Sequence, residues 1–295
     1  MTGKTKKIMN AHPKVKNALK ILFKGAQVIV LDYPVNPVPR YGYGKPPHQG
    51  IYNIINQNRA VYKKHLKNCL KYKENFLSIN LLEGEDKSSP FWINPWFTGL
   101  DAVSLYALIR TIKPKRYFEV GSGNSTKFAR QAIIDGKLKT KVVSIDPHPR
   151  AEINKVCDKV IRKPIEDVNL KIFDELENGD ILFIDNSHRA FTNSDVVVTF
   201  LDILPRLKRG VFVEFHDIML PIDYPLEWRN AYNSEQYLLA CYLLAEGKKF
   251  EVILPNSFIS RDKELSGILN RLWKEKHFAA VEKGGGSFWI RILQK

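Results

Sequence analysis

The sequence predicts an α/β protein built on a doubly wound, mostly parallel seven-stranded sheet, preceded by a basic, largely helical N-terminal extension. Three observations support this fold class. From residue 115 onward, short apolar segments typical of buried strands alternate with helical segments. A Gly-x-Gly turn at residues 121–123 joins the first of these strands to a helix. Before residue 90 the chain shows no such alternation and is strongly basic.

The alternating region supplies seven strands and the helices between them. We predict strands at residues 116–120, 141–145, 159–162, 180–184, 211–215, 250–254 and 287–293. We predict helices at residues 124–134, 168–176, 193–207, 234–245 and 263–276, and an earlier helix that Asp101 caps and that runs to about Ile112. Short apolar strands bounded by turn residues are expected where helices cover both faces of a parallel sheet. We therefore divide the chain into an extension, residues 1–90, and an α/β domain, residues 91–295.

The N-terminal extension carries most of the charge. Residues 1–75 contain fifteen Lys or Arg and two acidic residues, so they hold +13 of the net charge of +15. Such a surface attracts anions, although a merely solvated face accounts for it equally well. Residues 1–32 and 51–75 are predicted to be helical. Residues 33–50, rich in Pro, Gly and Tyr, are predicted to form an extended linker or a surface-hugging loop.

The sequence contains no signal for membrane insertion or secretion. No apolar run approaches the roughly 18–20 residues that cross a bilayer. The basic residues 1–10 are not followed by the apolar core of a signal peptide. The three cysteines are widely spaced and form no CxxC pair. We therefore expect a cytoplasmic protein.

The turn after the first strand is the clearest ligand-binding feature. In the segment YFEVGSGNST a strand ends near Glu119, and Gly121 and Gly123 let the backbone turn sharply and a ligand approach closely. A dinucleotide-binding turn has a third glycine where this chain has Thr126, and the phosphate-binding P-loop motif is absent. Asp146, at the end of the second strand, can accept hydrogen bonds from both hydroxyls of a ribose. The ligand is therefore expected to contain a nucleoside.

In these residues and their order, the chain resembles the class I S-adenosylmethionine (SAM)-dependent methyltransferases. Their first motif is similar to Glu/Asp-x-Gly-x-Gly. In that family, polar residues also lie at the ends of later strands, and the corresponding segments of this chain are 163–166, 180–188 and 211–217. The resemblance covers about residues 95–295 and implies a Rossmann-like fold, SAM as cofactor and methyl transfer as activity. In that family the strand-end acid faces the amino-acid moiety, the glycine turn passes under the methionine and ribose, and residues after the third strand contact adenine.

The same resemblance implies which side chains surround the cofactor. Ten residues are implied to bind it: Glu119, Gly121, Ser122, Gly123, Ser125, Asp146, Pro147, Ile165, Glu166 and Asp185. Trp92 and Trp96 are expected to close the cofactor side, although ordinary core packing is equally compatible with them.

Polar residues after the fourth and fifth strands mark the expected place of the methyl acceptor. Asp185, His188, His216 and Asp217 stand where ligands bind in parallel sheets. They resemble the metal site of O-methyltransferases of the catechol and macrolide-sugar kind, which implies Asp185, His216 and Asp217 as ligands of Mg²⁺ or another divalent metal. In the metal-free alternative, His188 or His216 is the general base, and Asp185 completes the catalytic set. Helix capping by Asp185 and a buried structural imidazole at His216 are the simpler interpretations.

O-methylation of a small-molecule or glycan hydroxyl is the function that these features favour. The chain lacks the Asn/Asp-Pro-Pro-Tyr/Phe motif of base N-methyltransferases after its fourth strand. The alternatives are an RNA or DNA methyltransferase whose basic N-terminal part holds phosphates, an NAD-dependent oxidoreductase, and a non-catalytic SAM-binding module. Peripheral contact with an anionic membrane and a homo-oligomer are also compatible with the sequence.

Overall fold

The computed structural model describes residues 32–33, 35–245 and 249–293. Seven strands are present in it: β1 Arg116–Val120, β2 Lys141–Ile145, β3 Lys159–Ile161, β4 Ile181–Ile184, β5 Phe212–Phe215, β6 Phe250–Pro255 and β7 Phe288–Ile292. The α-helices are α1 Gln49–Asn56, α2 Arg59–Cys69, α3 Lys73–Ser78, α4 Gly99–Ile112, α5 Asn124–Asp135, α6 Asp195–Val198, α7 Glu235–Leu244, α8 Asn256–Arg261, α9 Lys263–Gly267 and α10 Asn270–Trp273. The predicted helix over residues 1–32 lies outside the described residues, apart from Asp32.

The seven strands form one mixed sheet in the order β3-β2-β1-β4-β5-β7-β6. The first five pair in parallel, whereas β7 runs antiparallel to both β5 and β6. The chain order reverses direction at β1, so the carboxyl ends of β1 and β4 flank a crevice where ligands bind in open α/β sheets. The predicted α/β fold class is confirmed.

The central strands are buried because helices cover the sheet. Every residue of β4 and β5 is buried, and β1 is buried from Tyr117 onward. The core contains large apolar side chains such as Phe118, Phe183 and Phe215, each with at most 1% of its surface exposed. Continuous apolar strands of this kind are characteristic of parallel sheets covered on both faces. The sheet is therefore a rigid platform for the side chains at its ends.

Helices α1 to α3 share this core. Ile51, Tyr62, Leu66 and Phe76 are completely or almost completely buried and belong to the same apolar cluster as the sheet. Residues 38–295 form one compact unit. The predicted domain boundary at residue 90 stays a prediction, but residues 51–79 and the sheet do not have separate cores.

The segment rich in Pro, Gly and Tyr lies along the surface of this unit. Its described residues after 37 contain no strand, and the first helix begins only at Gln49. The backbone N–H groups of Arg40 and Tyr41 donate to the buried carboxylate of Asp223 over 2.6 and 2.9 Å. The His48 N–H donates to the Pro221 carbonyl over 2.9 Å. Of the two predicted forms, this part of the segment adopts the surface-hugging loop.

Two predicted helices are broken in the structure. The helix predicted at residues 193–207 is a short α-helix, α6, followed by a π-helical turn at Thr199–Ile203 and a 3₁₀ turn at Leu204–Arg206. Pro205 lacks a backbone N–H and prevents a regular helix from continuing there. The helix predicted at residues 263–276 consists of α9, α10 and a 3₁₀ turn that begins at Lys276. In the described part of the chain, no helix is long and apolar enough to cross a membrane.

Candidate active site

The turn between β1 and α5 is fixed by a contact that only glycine permits. Gly121 has φ +77°, and a Cβ built there would lie 1.8 Å from the carbonyl oxygen of Asp185. The Gly121 N–H donates to the Ile145 carbonyl, and the Asp185 N–H donates to the Val120 carbonyl. The turn is therefore tied to the ends of β2 and β4, and it places Asp185 beside the crevice.

Glu119 stabilises this turn through hydrogen bonds with the first residues of α5. Its side chain is fully buried, and the hydroxyls of Ser125 and Thr126 donate to its two carboxylate oxygens. Thr126 also accepts a hydrogen bond from the Gly123 N–H over 3.0 Å, which gives a role to the residue that replaces the third glycine of a dinucleotide motif. Burial raises the pKa of Glu119 to about 8. Glu119 thus connects the turn to α5 and does not face the crevice, unlike the acid that the resemblance implies.

A cavity of about 410 Å³ opens at the carboxyl ends of β1, β2 and β4, within the size range of small-ligand sites. We call it the strand-end cavity. Nine of the ten residues implied to bind the cofactor line it, Glu119 being the exception: Gly121, Ser122, Gly123, Ser125, Asp146, Pro147, Ile165, Glu166 and Asp185. Residues scattered over about 65 positions of sequence are therefore brought to one cavity.

Asp146 has a fixed orientation at the cavity. One of its carboxylate oxygens accepts from the Ser122 N–H and the other from the His148 N–H, each over 2.7 Å. Glu166, unlike Asp146, has one carboxylate oxygen that is buried without a hydrogen-bond partner. A buried acceptor without a partner is costly unless a ligand satisfies it.

The mouth of the cavity includes residues that the sequence reasoning did not assign. Arg150 lies over the ring of Trp96 at 4.5 Å, a cation–π contact between the loop after β2 and the segment before α4. Trp96 lines the cavity and is 57% exposed, whereas Trp92 is buried in the core and donates to the Phe76 carbonyl. Of the two tryptophans expected to close this side, only Trp96 is at the cavity. Lys127 also lines it and is almost fully buried.

The four polar residues predicted at the ends of β4 and β5 meet in one cluster. His188 Nε2 lies 3.3 Å from Asp185 Oδ1 and 3.5 Å from Asp217 Oδ2. His216 Nδ1 lies 3.7 Å from Asp185 Oδ1 and 3.5 Å from Asp217 Oδ1. His188 and Asp217 both adopt positive φ, at +61° and +56°, which is uncommon outside glycine and is concentrated at functional sites.

Two further carboxylates, which the sequence reasoning missed, complete this group. Glu235 Oε2 lies 2.9 Å from His188 Nδ1, and Asp101 Oδ2 lies 3.5 Å from His216 Nε2. The histidine–carboxylate cluster consists of these six residues: Asp101, Asp185, His188, His216, Asp217 and Glu235. The sequence suggested only a helix-capping role for Asp101, because an acid at the start of a helix is an ordinary cap. No sequence pattern pointed to Glu235.

The carboxylates control the charge of both imidazoles. Burial lowers the pKa of His188, but Asp185 and Glu235 outweigh it and raise the pKa to about 10. Burial likewise opposes the charge on His216, and Asp217 and Asp101 raise its pKa well above the usual value. Both upward shifts favour the protonated form of the rings at neutral pH. This arrangement is unfavourable for His188 or His216 as the general base at that pH, because the base must begin without the proton.

A metal ion does not fit these residues as they stand. Within the described ranges, no group of three or more His, Cys, Asp or Glu side chains is arranged to hold a metal ion. Asp185, His216 and Asp217 are brought together, but each pairs with an oppositely charged neighbour.

Part of the chain is similar in sequence to known proteins. Residues 118–218, from β1 to just after β5, match a family described as a methyltransferase domain. An uncharacterized protein of Archaeoglobus fulgidus is 28% identical over 184 residues, which is 55% of this chain and 82% of that protein.

Solved structures with a similar fold include methyltransferases. The S-adenosylhomocysteine (SAH)-bound methyltransferase PaMTH1 of Podospora anserina is 17% identical, with 65% of this chain and 77% of that chain covered and a TM-score of 0.39. The O-methyltransferase TomG of Streptomyces achromogenes, in complex with SAM, is 13% identical, with 84% and 98% covered and a TM-score of 0.39.

The mixed sheet, the glycine turn and the strand-end cavity together form a site of the kind that binds ligands at the strand ends of open α/β sheets. The match over residues 118–218 indicates a methyltransferase domain in this part of the chain.

Proposed function

We propose that this enzyme transfers the methyl group of SAM to a hydroxyl oxygen of a small molecule or glycan. The observation that carries the proposal is the position of Asp185, which lines the strand-end cavity and also belongs to the histidine–carboxylate cluster. A cofactor in the cavity would have its sulfonium beside this carboxylate. An acceptor at the cluster would then lie on the far side of the methyl group.

The side chains that line the cavity favour one orientation of the cofactor. Asp146 keeps free lone pairs for the two ribose hydroxyls, since each oxygen accepts only one backbone N–H. The unpartnered oxygen of Glu166 is a suitable acceptor for the adenine amino group, beside the apolar side chain of Ile165. The glycine turn at 121–123 would pass under the methionine part, which leaves the sulfonium near Asp185.

The reaction releases one proton from the acceptor hydroxyl. As the hydroxyl oxygen forms its bond to the methyl carbon, the bond from carbon to sulfur breaks and SAH remains. Because the raised pKa values of both imidazoles favour rings that already carry protons, we assign the proton to the carboxylate of Asp185 or Asp217, both of which lie near His188 Nε2. The positive ring of His188 would hold these two carboxylates in place.

Transfer of radiolabelled methyl groups from SAM to a panel of hydroxyl-bearing metabolites and oligosaccharides tests this proposal. We expect label in a methyl ether of one acceptor class, and loss of that label when Asp217 is replaced by Asn. Label in RNA or DNA alone would contradict the proposal. It would favour the nucleic-acid alternative, which is motivated by the charge of +13 on residues 1–75.

The family resemblance implies that a divalent metal bound by Asp185, His216 and Asp217 assists the reaction. The arrangement of the described side chains does not favour such a metal site. We therefore derive no step through a metal. Turnover that survives a chelator supports the metal-free route. Turnover that stops with the chelator and returns with Mg²⁺ or Mn²⁺ contradicts it.

A further inference from the structure

Two buried carboxylates stand behind the histidines of the cluster, on the side away from Asp185 and Asp217. We infer that Asp101 and Glu235 are positioning residues that fix which ring nitrogen of His216 and His188 faces the reaction site. This inference rests on the proposed function only in taking the histidine–carboxylate cluster as that site.

Glu235 holds His188 from the start of α7. Its side chain is completely buried, and it has two partners, His188 Nδ1 at 2.9 Å and the amide of Asn186 at 3.0 Å. The backbone N–H groups of Ser234 and Glu235 both donate to the His188 carbonyl, so the backbone of the histidine is held as well. The ring is therefore oriented with Nδ1 toward Glu235 and Nε2 toward Asp185 and Asp217. A carboxylate that binds the outer nitrogen of a histidine sets the direction of the ring and, when the ring is neutral, its tautomer.

Asp101, in the first turn of α4, is paired with His216 by charge, since His216 Nε2 makes no hydrogen bond. The predicted role of Asp101 was to cap this helix, but its carboxylate, 1% exposed, reaches across to another part of the chain. It accepts hydrogen bonds from the N–H groups of Gly286 and Ser287 at 2.8 and 2.9 Å. It also accepts from the Asn256 amide and the Thr98 hydroxyl. Four donors leave the carboxylate little freedom, and His216 Nε2 lies 3.5 Å from it.

The glycines before β7 make this arrangement possible. A Cβ on Gly285 would lie 2.5 Å from Asp101 Oδ1, so the backbone approaches the carboxylate more closely than any other residue type permits. The next residue connects the same loop to the cluster, because the Gly286 carbonyl accepts from the Ile218 N–H, directly after Asp217. Gly284 has no such contact, since its Cβ would meet nothing closer than 3.9 Å.

Ring-nitrogen NMR of protein labelled with ¹⁵N-histidine tests the Glu235 half of the inference without any acceptor. The chain has seven histidines, and spectra of His188→Gln and His216→Gln identify the two rings. The carboxylate of Glu235 binds the Asn186 amide with one oxygen and His188 Nδ1 with the other. The amide in Glu235→Gln has one oxygen only, so it can replace one of these two contacts but not both. We expect the ring signals of His188 to shift while those of His216 stay in place. Glu227→Gln, which removes an exposed acid eight residues before Glu235, is the matched control and should move neither ring.

The Asp101 half is tested by a pair of glycine variants, because Asp101→Asn removes an acceptor from four donors and is at risk of not folding. We expect Gly285→Ala to shift the ring signals of His216, with a smaller effect on His188, and Gly284→Ala to shift neither. Unchanged His188 signals in Glu235→Gln, or unchanged His216 signals in a folded Gly285→Ala, would overturn the inference for that residue.

The outcome separates the inference from the proposed function. If the rings respond as expected but no hydroxyl compound is methylated, then the positioning role stands and the proposed acceptor chemistry fails. Once an acceptor is known, Glu235→Gln should lower kcat by at least tenfold with KM for SAM unchanged. A role confined to stability would instead lower the melting temperature and leave the ring signals of the folded protein in place.

Discussion

The strand-end cavity and the histidine–carboxylate cluster meet at Asp185, yet they are assembled differently. The cavity is built from short segments that each follow one strand, and its contacts join neighbouring segments of this kind, such as Asp146 with the Ser122 and His148 N–H groups, 24 and 2 residues away. The cluster depends on partners far apart in sequence. Asp101 is 115 residues from His216, and Glu235 is 47 residues from His188. A cavity of the first kind can be predicted from motifs, whereas a cluster of the second kind requires the fold.

The largest effect is expected at the glycine turn, on which both regions depend. Gly121→Ala places a Cβ 1.8 Å from the Asp185 carbonyl and forces an alanine into φ +77°. We expect a loss of roughly 3 kcal/mol or more in the free energy of unfolding, together with loss of SAH binding. Thermal unfolding and calorimetry measure the two effects. Gly123→Ala, where a Cβ would meet nothing within 4 Å, is the matched control and should keep its stability. Equal stability of the two variants would show that the close approach is not required.

A variant of Asp217 tests the cluster without the cavity, because Asp217 belongs to the cluster and does not line the cavity. We expect Asp217→Asn to lower turnover by about 10²-fold, within the usual range for loss of an acid or base, while the affinity for SAH is unchanged. Asp185→Asn should impair both turnover and SAH affinity, since Asp185 belongs to both regions. A selective loss of SAH affinity in Asp217→Asn would mean that the regions are wrongly divided.

A variant of Asp146 tests the strand-end cavity without the cluster. Removal of its charge-assisted hydrogen bonds in Asp146→Ala should weaken SAH binding by roughly 10- to 100-fold, because such bonds contribute about 1.5–3 kcal/mol each. Isothermal titration with SAH measures this change. Glu152→Ala removes an exposed acid from the same loop without altering the cavity lining and serves as the control. Similar affinities in the two variants would argue against ribose binding at Asp146.

The smallest effect at neutral pH concerns Glu119, which supports the turn without facing the ligand. Its folded-state pKa of about 8 lies above the ordinary value of 4.5. The folded state therefore keeps a proton that the unfolded chain releases between these values. The stability contributed by Glu119 is fully present below about pH 4.5 and declines as pH rises toward 8. We expect Glu119→Gln to flatten the decline in unfolding free energy over this range. Denaturant titrations of both proteins at pH 5 and pH 8 measure it, and an identical pH dependence would show that Glu119 is ionised in the folded state.

The sequence predicted the fold and the cavity because both depend on local patterns. Alternating apolar segments specify the strands, and a glycine at position 121 marks a backbone conformation that other residues avoid. The sequence did not reveal that Glu119 turns away from the crevice, because the hydroxyls of Ser125 and Thr126 compete for it only after the helix has formed.

The base role predicted for the histidines stays a prediction, and it depends on charges that the sequence alone does not bring together. His188 alone predicts a group that titrates near neutral pH, but three carboxylates surround it in the fold. One of them, Glu235, is carried by a helix whose apolar residues gave no hint of a buried acid at its start. Charges brought together by tertiary structure cannot be assigned from the segment that carries the histidine.

The crystal structure of the protein with SAH bound tests the central claim most directly. We predict the ribose hydroxyls on Asp146, the adenine beside Ile165 and Glu166, and the sulfur closest to Asp185, facing His188 and Asp217. A ligand in which the sulfur points away from the histidine–carboxylate cluster, or which lies outside the strand-end cavity, would contradict the proposal that methyl transfer occurs between these two regions.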